Sequence, residues 1–95
     1  MRSLHVAALV AGLAVAGCAA EAPGSRAVVT GAGSELLKLR AGPGLGYRIL
    51  LGLPDGTVVI RRGCVTEVGQ RWCRVVLADA PRVRGYVSDD YLSGP

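Results

Sequence analysis

The apolar positions of this chain fall into two regimes. Residues 6–17 run for twelve positions without a charged side chain. From residue 34 onward the apolar positions come in short groups broken by turn chemistry. Leu37 and Leu39 alternate with Lys38 and Arg40, the period-two pattern of a half-buried strand. Gly42-Pro43-Gly44-Leu45-Gly46 then interrupts, a composition that suits a loop. Residues 47–53 are largely apolar, and Leu53-Pro54-Asp55-Gly56 has Pro second and Gly fourth, as a type I turn prefers. Thr57-Val58-Val59-Ile60 is rich in β-branched residues and continues towards Cys64, while residues 71–77 and 83–88 complete the set. No stretch sustains a period of 3.6. The pattern predicts an all-β domain of five or six short strands over residues 34–95. Upstream, only Val28-Val29-Thr30 has strand character.

The first apolar run is too short to cross a bilayer, which takes about 20 residues. With Arg2 ahead of it, it reads as the core of a signal peptide. Val15-Ala16-Gly17-Cys18 resembles the lipobox of bacterial lipoproteins. That resemblance implies removal of residues 1–17 and acylation of Cys18, palmitate included, with the lipid as membrane anchor. Ala19 follows the cysteine where Asp would retain the protein at the inner membrane. The location implied is the cell envelope, on the periplasmic side of the outer membrane if the source is Gram-negative. Residues 18–33 combine the acylated terminus with a tether of Ala, Glu, Pro, Gly, Ser and Thr.

A folded part of about 60 residues is marginal for a hydrophobic core, so a staple is expected. If Val68-Gly69 forms a two-residue hairpin, Glu67 faces Gln70, Thr66 faces Arg71, Val65 faces Trp72 and Cys64 faces Cys73. The cysteines then occupy a non-hydrogen-bonded pair, where side chains approach most closely. The expectation is a Cys64–Cys73 disulfide in an oxidising compartment. The alternative is two buried thiols.

Composition also narrows the chemistry. Lys and Arg number 11 against 7 Asp and Glu, for a net charge of +4. The only histidine, His5, lies in the leader. A processed chain would have no imidazole, one acylated cysteine and two bonded ones, and its serines lack an evident base. Asp89-Asp90 suits the start of a short helical turn better than acid–base catalysis. The glycine-rich loop lacks dinucleotide spacing and a βαβ unit. The expectation is a protein without catalytic residues, metal site or cofactor.

Residues 37–47, LKLRAGPGLGY, resemble the opening signature of the bacterial SH3-like (SH3b) domain. Three further segments match it in order: residues 49–56 ending in Leu-Pro-Asp-Gly, Trp72-Cys73-Arg74-Val75, and Gly85-Tyr86-Val87-Ser88 followed by Asp89-Asp90-Tyr91-Leu92. The resemblance implies a small, strongly bent SH3-like barrel. Tyr86 stands where a Trp is usual, the paired cysteines are an addition, and residues 78–84 predict a long last hairpin.

Alternation in residues 72–77 places Cys73, Val75 and Leu77 on one face and Trp72, Arg74 and Val76 on the other. In residues 82–87, Val83, Gly85 and Val87 oppose Arg82, Arg84 and Tyr86. With the apolar sets inward, Trp72, Arg74, Arg84 and Tyr86 gather on the outside as a surface for glycan rings, carboxylates or phosphates. Tyr47 and Arg40, flanking the glycine-rich loop, form a second candidate edge, and Tyr91 is assigned to the core. The family resemblance makes the leading expectation a non-enzymatic envelope lipoprotein whose module binds peptidoglycan or other cell-wall glycopeptide. The rivals are an adaptor that docks an envelope protein and a tethered barrel without a dedicated ligand. Nucleic acid does not suit an exported lipoprotein.

Overall fold

The computed structural model describes residues 24–94. The leader, Cys18 and the first part of the tether lie outside them. Seven antiparallel strands form one curled sheet: β1 (Ser25–Val29), β2 (Leu37–Arg40), β3 (Ile49–Leu53), β4 (Val58–Glu67), β5 (Gln70–Leu77), β6 (Ala80–Ser88) and β7 (Leu92–Ser93). Their order is β3-β2-β6-β5-β4-β1-β7, and the sheet bends into a half-barrel. The all-β expectation holds, with one strand more than the upper count.

That extra strand corrects the extent of the tether. β1 pairs with β4 through Ala27↔Val59 and with β7 through Val29↔Leu92. Ala27 and Val29 are buried in the core, so residues 25–29, read as tether, form a strand of the domain. The Val28-Val29 pair carries the strand preference that the polar residues around it obscure. The last hairpin also differs from expectation. Leu77 pairs with Ala80 across a two-residue turn, and β6 starts three residues ahead of Val83. Pro81 is tolerated because β2 pairs with β6 only at Arg40↔Tyr86, leaving that end of β6 without a ladder partner on the β2 side.

The core is small and apolar. Leu37, Leu39, Leu53, Val59, Cys73, Val75 and Val87 join Ala27 and Val29 in one cluster, with Leu77 and Val83 packed against it. Inward positions on β5 and β6 follow the alternation read from the sequence. Among the described residues no polar or charged side chain is buried.

The β4–β5 hairpin has the predicted register, from Glu67↔Gln70 to Cys64↔Cys73. Cys64 and Cys73 are joined by a disulfide, with their Cα atoms 4.0 Å apart. The turn takes φ +50° at Val68 and +75° at Gly69, the two positive values a type I′ hairpin requires. Gly69 adopts this freely, whereas a β-branched Val68 is strained there.

Intact mass under non-reducing conditions is expected to fall two hydrogens short of the free-thiol mass. Replacing both cysteines by serine should lower unfolding stability by about 2.5–3 kcal/mol on the chain-entropy account of a closed loop this size. Denaturant titration checks it, and an unchanged midpoint contradicts a stabilising staple.

Candidate functional site

The outer face of the sheet holds two sets of side chains. Pairing Arg40↔Tyr86 and Arg74↔Tyr86 puts these three in one row across β2, β6 and β5, because directly opposed residues share a face. Arg84 lies one position along that face of β6, opposite Val76. Arg74 and Arg84 are exposed and Tyr86 is half-buried. The predicted arginine–tyrosine surface is therefore assembled, but without Trp72 at its exposed centre.

Trp72 sits in the next row, opposite Ser88, and only 5% of its surface is exposed. The expectation of an exposed Trp72 is corrected: the indole forms the floor of a groove. Two adjoining cavities, of about 410 and 730 Å³, share Leu45, Trp72, Ser88 and Tyr91 as lining. They make one trough across the outer face. The covering comes from the loop of residues 42–47 on one side and the 3₁₀ turn Asp89–Tyr91 on the other.

Local chemistry holds each wall in place. In the glycine-rich loop, Gly44 N–H donates to Gly42 C=O at 3.0 Å and Tyr47 N–H to Gly44 C=O at 3.3 Å. The Tyr47 ring lies over this backbone so closely that a Cβ on Gly42 would come within 2.3 Å of it. Only glycine permits that approach. Arg40 Nη1 donates to the carbonyls of Leu45 and Tyr47, both at 3.1 Å. Arg40 thus fastens the loop through Nη1. Tyr47 remains 50% exposed on the rim.

On the opposite wall, Ser88 Oγ accepts from Gln70 Nε2 at 2.8 Å and from Asp90 N–H at 3.3 Å, the second being a cap that starts the turn. Asp89 Oδ1 faces Arg61 Nε at 3.4 Å, Oδ2 faces Arg71 Nε at 3.2 Å, and Cys73 Sγ lies 3.4 Å from Oδ1. Asp89 therefore has a structural task, and the helical-turn reading of Asp89-Asp90 is correct. The turn delivers Asp90 and Tyr91 to the groove. Tyr91 is 39% exposed, which corrects its assignment to the core.

Sequence reasoning missed the polar lining. The larger cavity includes Glu67 and Asp90 beside Tyr47, Trp72 and Tyr91, and among the described residues no Lys, Arg or His lines it. Neither acid stands near the other in the chain, so no local pattern could have joined them. The smaller cavity adds Glu35, Lys38 and Arg40, where Lys38 Nζ donates to the carbonyls of Glu35 and of Leu36. The two non-glycine residues with positive φ among the described residues, Leu36 and Val68, both border the groove. Strain of this kind tends to collect where a binding surface is held in shape. One cluster of potential metal ligands brings Cys64, Cys73 and Asp89 atoms within 4.8 Å of one another, but its sulfurs are bonded together and its carboxylate faces two arginines. No helix among the described residues is long and apolar enough to cross a membrane. Cys18 lies outside those residues.

The family model described as "Bacterial SH3 domain" matches residues 35–93, well over half of the chain. No curated protein and no solved structure matches.

Burial separates the two aromatics as mutational probes. Trp72→Ala should cost about 3–5 kcal/mol of stability, as large core truncations do. Tyr47→Ala, on the rim, should cost less than about 1 kcal/mol. Denaturant unfolding of the two variants checks this, and equal losses contradict the floor-and-rim assignment.

Proposed function

The chain belongs to the bacterial SH3 domain family, and from that premise we propose that it is a non-enzymatic binding module of the cell envelope that retains peptidoglycan or related cell-wall material. The observation that carries this reading is the groove floored by Trp72 and bordered by Tyr47 and Tyr91. Aromatic faces stack on sugar rings and on extended peptide, and a trough of about 730 Å³ is within the range of a small-ligand site. Beside it, the exposed Arg74 and Arg84 and the half-buried Tyr86 offer donors to carboxylate or phosphate groups. Arg40 acts mainly by holding the loop. The groove's fixed walls suit binding, and the histidine-free folded part supplies no imidazole base.

The lipobox-like Val15-Ala16-Gly17-Cys18 supports anchorage through an acylated Cys18. The lipid then tethers the barrel to the membrane, facing the periplasm in a Gram-negative cell. A Cys18→Ser chain is expected to incorporate no labelled palmitate and to leave the membrane fraction. Unchanged membrane association contradicts the anchor.

A second reading, a protein-docking adaptor, is favoured by β3. This strand lies at the sheet edge and exposes Ile49, Leu50 and Leu51, a row open to another chain. Incubation with purified insoluble peptidoglycan distinguishes the two. The wall-binding reading predicts saturable retention that persists at moderate salt and weakens in Tyr47→Ala. Retention that vanishes with salt marks only basic charge on an anionic polymer, and no retention favours the adaptor.

A further inference from the structure

The larger half of the groove has a charge opposite to that of the chain as a whole. The chain carries 11 basic and 7 acidic residues, yet among the described residues this cavity is lined by Glu67 and Asp90 with no cationic side chain. Neither carboxylate is in an ion pair among the described residues. Asp55 and Asp89, by contrast, are committed: Asp55 accepts from the N–H groups of Ala32 and Gly33 at 2.9 and 3.0 Å, and Asp89 faces Arg61 and Arg71. The nearest basic groups in the adjoining cavity, Lys38 and Arg40, are turned onto backbone carbonyls. Glu67 reaches the cavity from the β4 end of the hairpin and Asp90 from the 3₁₀ turn. Two anionic groups thus approach from different elements, over an indole floor and beside two phenol rings.

We propose that this end of the groove is a subsite for a primary ammonium group carried on a peptide, and that it reads the peptide branches of the wall polymer rather than its glycan strands. Carboxylates hold an ammonium by charge-assisted hydrogen bonds, and aromatic faces attract the same cation through their quadrupole. The apolar stem next to the ammonium lies against Leu45 and Val68, which are among the most exposed apolar side chains of the domain. A glycan ring could stack on the same aromatics but would leave both carboxylates without a cationic partner. The inference rests on the wall-binding reading and adds to it which chemical group is recognised.

The test uses the full chain in a non-ionic detergent. Insoluble peptidoglycan is assayed untreated and after its free amines have been acetylated. Acetylation makes the polymer more anionic, so simple attraction to a basic protein would strengthen. The subsite predicts the reverse, with retention lowered about tenfold, and a similar loss on untreated polymer for the Glu67→Gln, Asp90→Gln double variant. An Asp79→Lys control changes the net charge by the same amount at the β5–β6 turn, which lines neither cavity, and is expected to be retained like the native chain. Retention unchanged by acetylation, or an undiminished double variant, overturns the proposal while leaving wall binding intact. If the native chain is not retained at all, the wall reading fails and a second arm decides the subsite. Trp72 is the only tryptophan, so its fluorescence reports the groove. A capped pentapeptide, Ala-Ala-Lys-Ala-Ala, should give a saturable change that its N-acetyl-lysine counterpart does not. Equal titrations, or none, overturn the subsite.

Discussion

One carboxylate connects the parts of this domain that shape the groove. Asp89 meets Arg61 from β4 and Arg71 from β5 and lies against the Cys73 sulfur. The disulfide fixes β4 to β5 at that level, and the strands beyond it carry Glu67 and Val68 to the groove. The turn that begins at Asp89 carries Asp90 and Tyr91 to the same side. A link between hairpin and turn therefore holds together the wall that faces the glycine-rich loop, and Trp72 lies between that wall and the loop. In a domain this small, such local fastening matters more than in a large one, because few core residues share the work of defining the surface.

The two faces of the sheet divide the tasks. The concave face is packed with Leu, Val and Ala and excludes polar groups, which gives cohesion without specificity. The outer face holds Trp72, Ser88, Tyr86 and the arginines, and is roofed in part by the glycine-rich loop. The loop needs Gly42 so that Tyr47 can lie on its backbone, and Arg40 so that its carbonyls are satisfied. The walls of the groove thus come from pieces that contribute little to the core, while its floor, Trp72, is buried. Val68 and Leu36 keep strained backbones beside the same trough, which is consistent with a shape retained for more than stability.

Much of the fold was legible in the chain. Val68-Gly69 and the two cysteines fixed a hairpin register that the structure reproduces pair by pair, because turn length determines which residues face each other. Period-two alternation assigned Cys73, Val75 and Val87 to the core for the same geometric reason. Trp72 escaped this logic. Alternation places it on the outer face, and that is correct, but its burial comes from residues 42–47 and Asp89–Tyr91 folding over it from distant parts of the chain. Tyr91 and the Glu67/Asp90 pair escaped for a similar reason, since tertiary placement alone brings them to one cavity. β1 was blurred by the polar residues around Val28-Val29.

In the proposed binding mode the ligand is held over Trp72, between Tyr47 and Tyr91, with the arginine row beside it rather than at its centre. Amide and indole chemical shifts of the isotope-labelled protein, recorded while soluble peptidoglycan fragments are added, test it directly. The Trp72 indole N–H and the backbone signals of Leu45, Tyr47, Gln70 and Tyr91 are expected to move together and saturate. Shifts confined to Arg74, Arg84 and Tyr86, or to Ile49, Leu50 and Leu51, with the Trp72 indole unmoved, would contradict it.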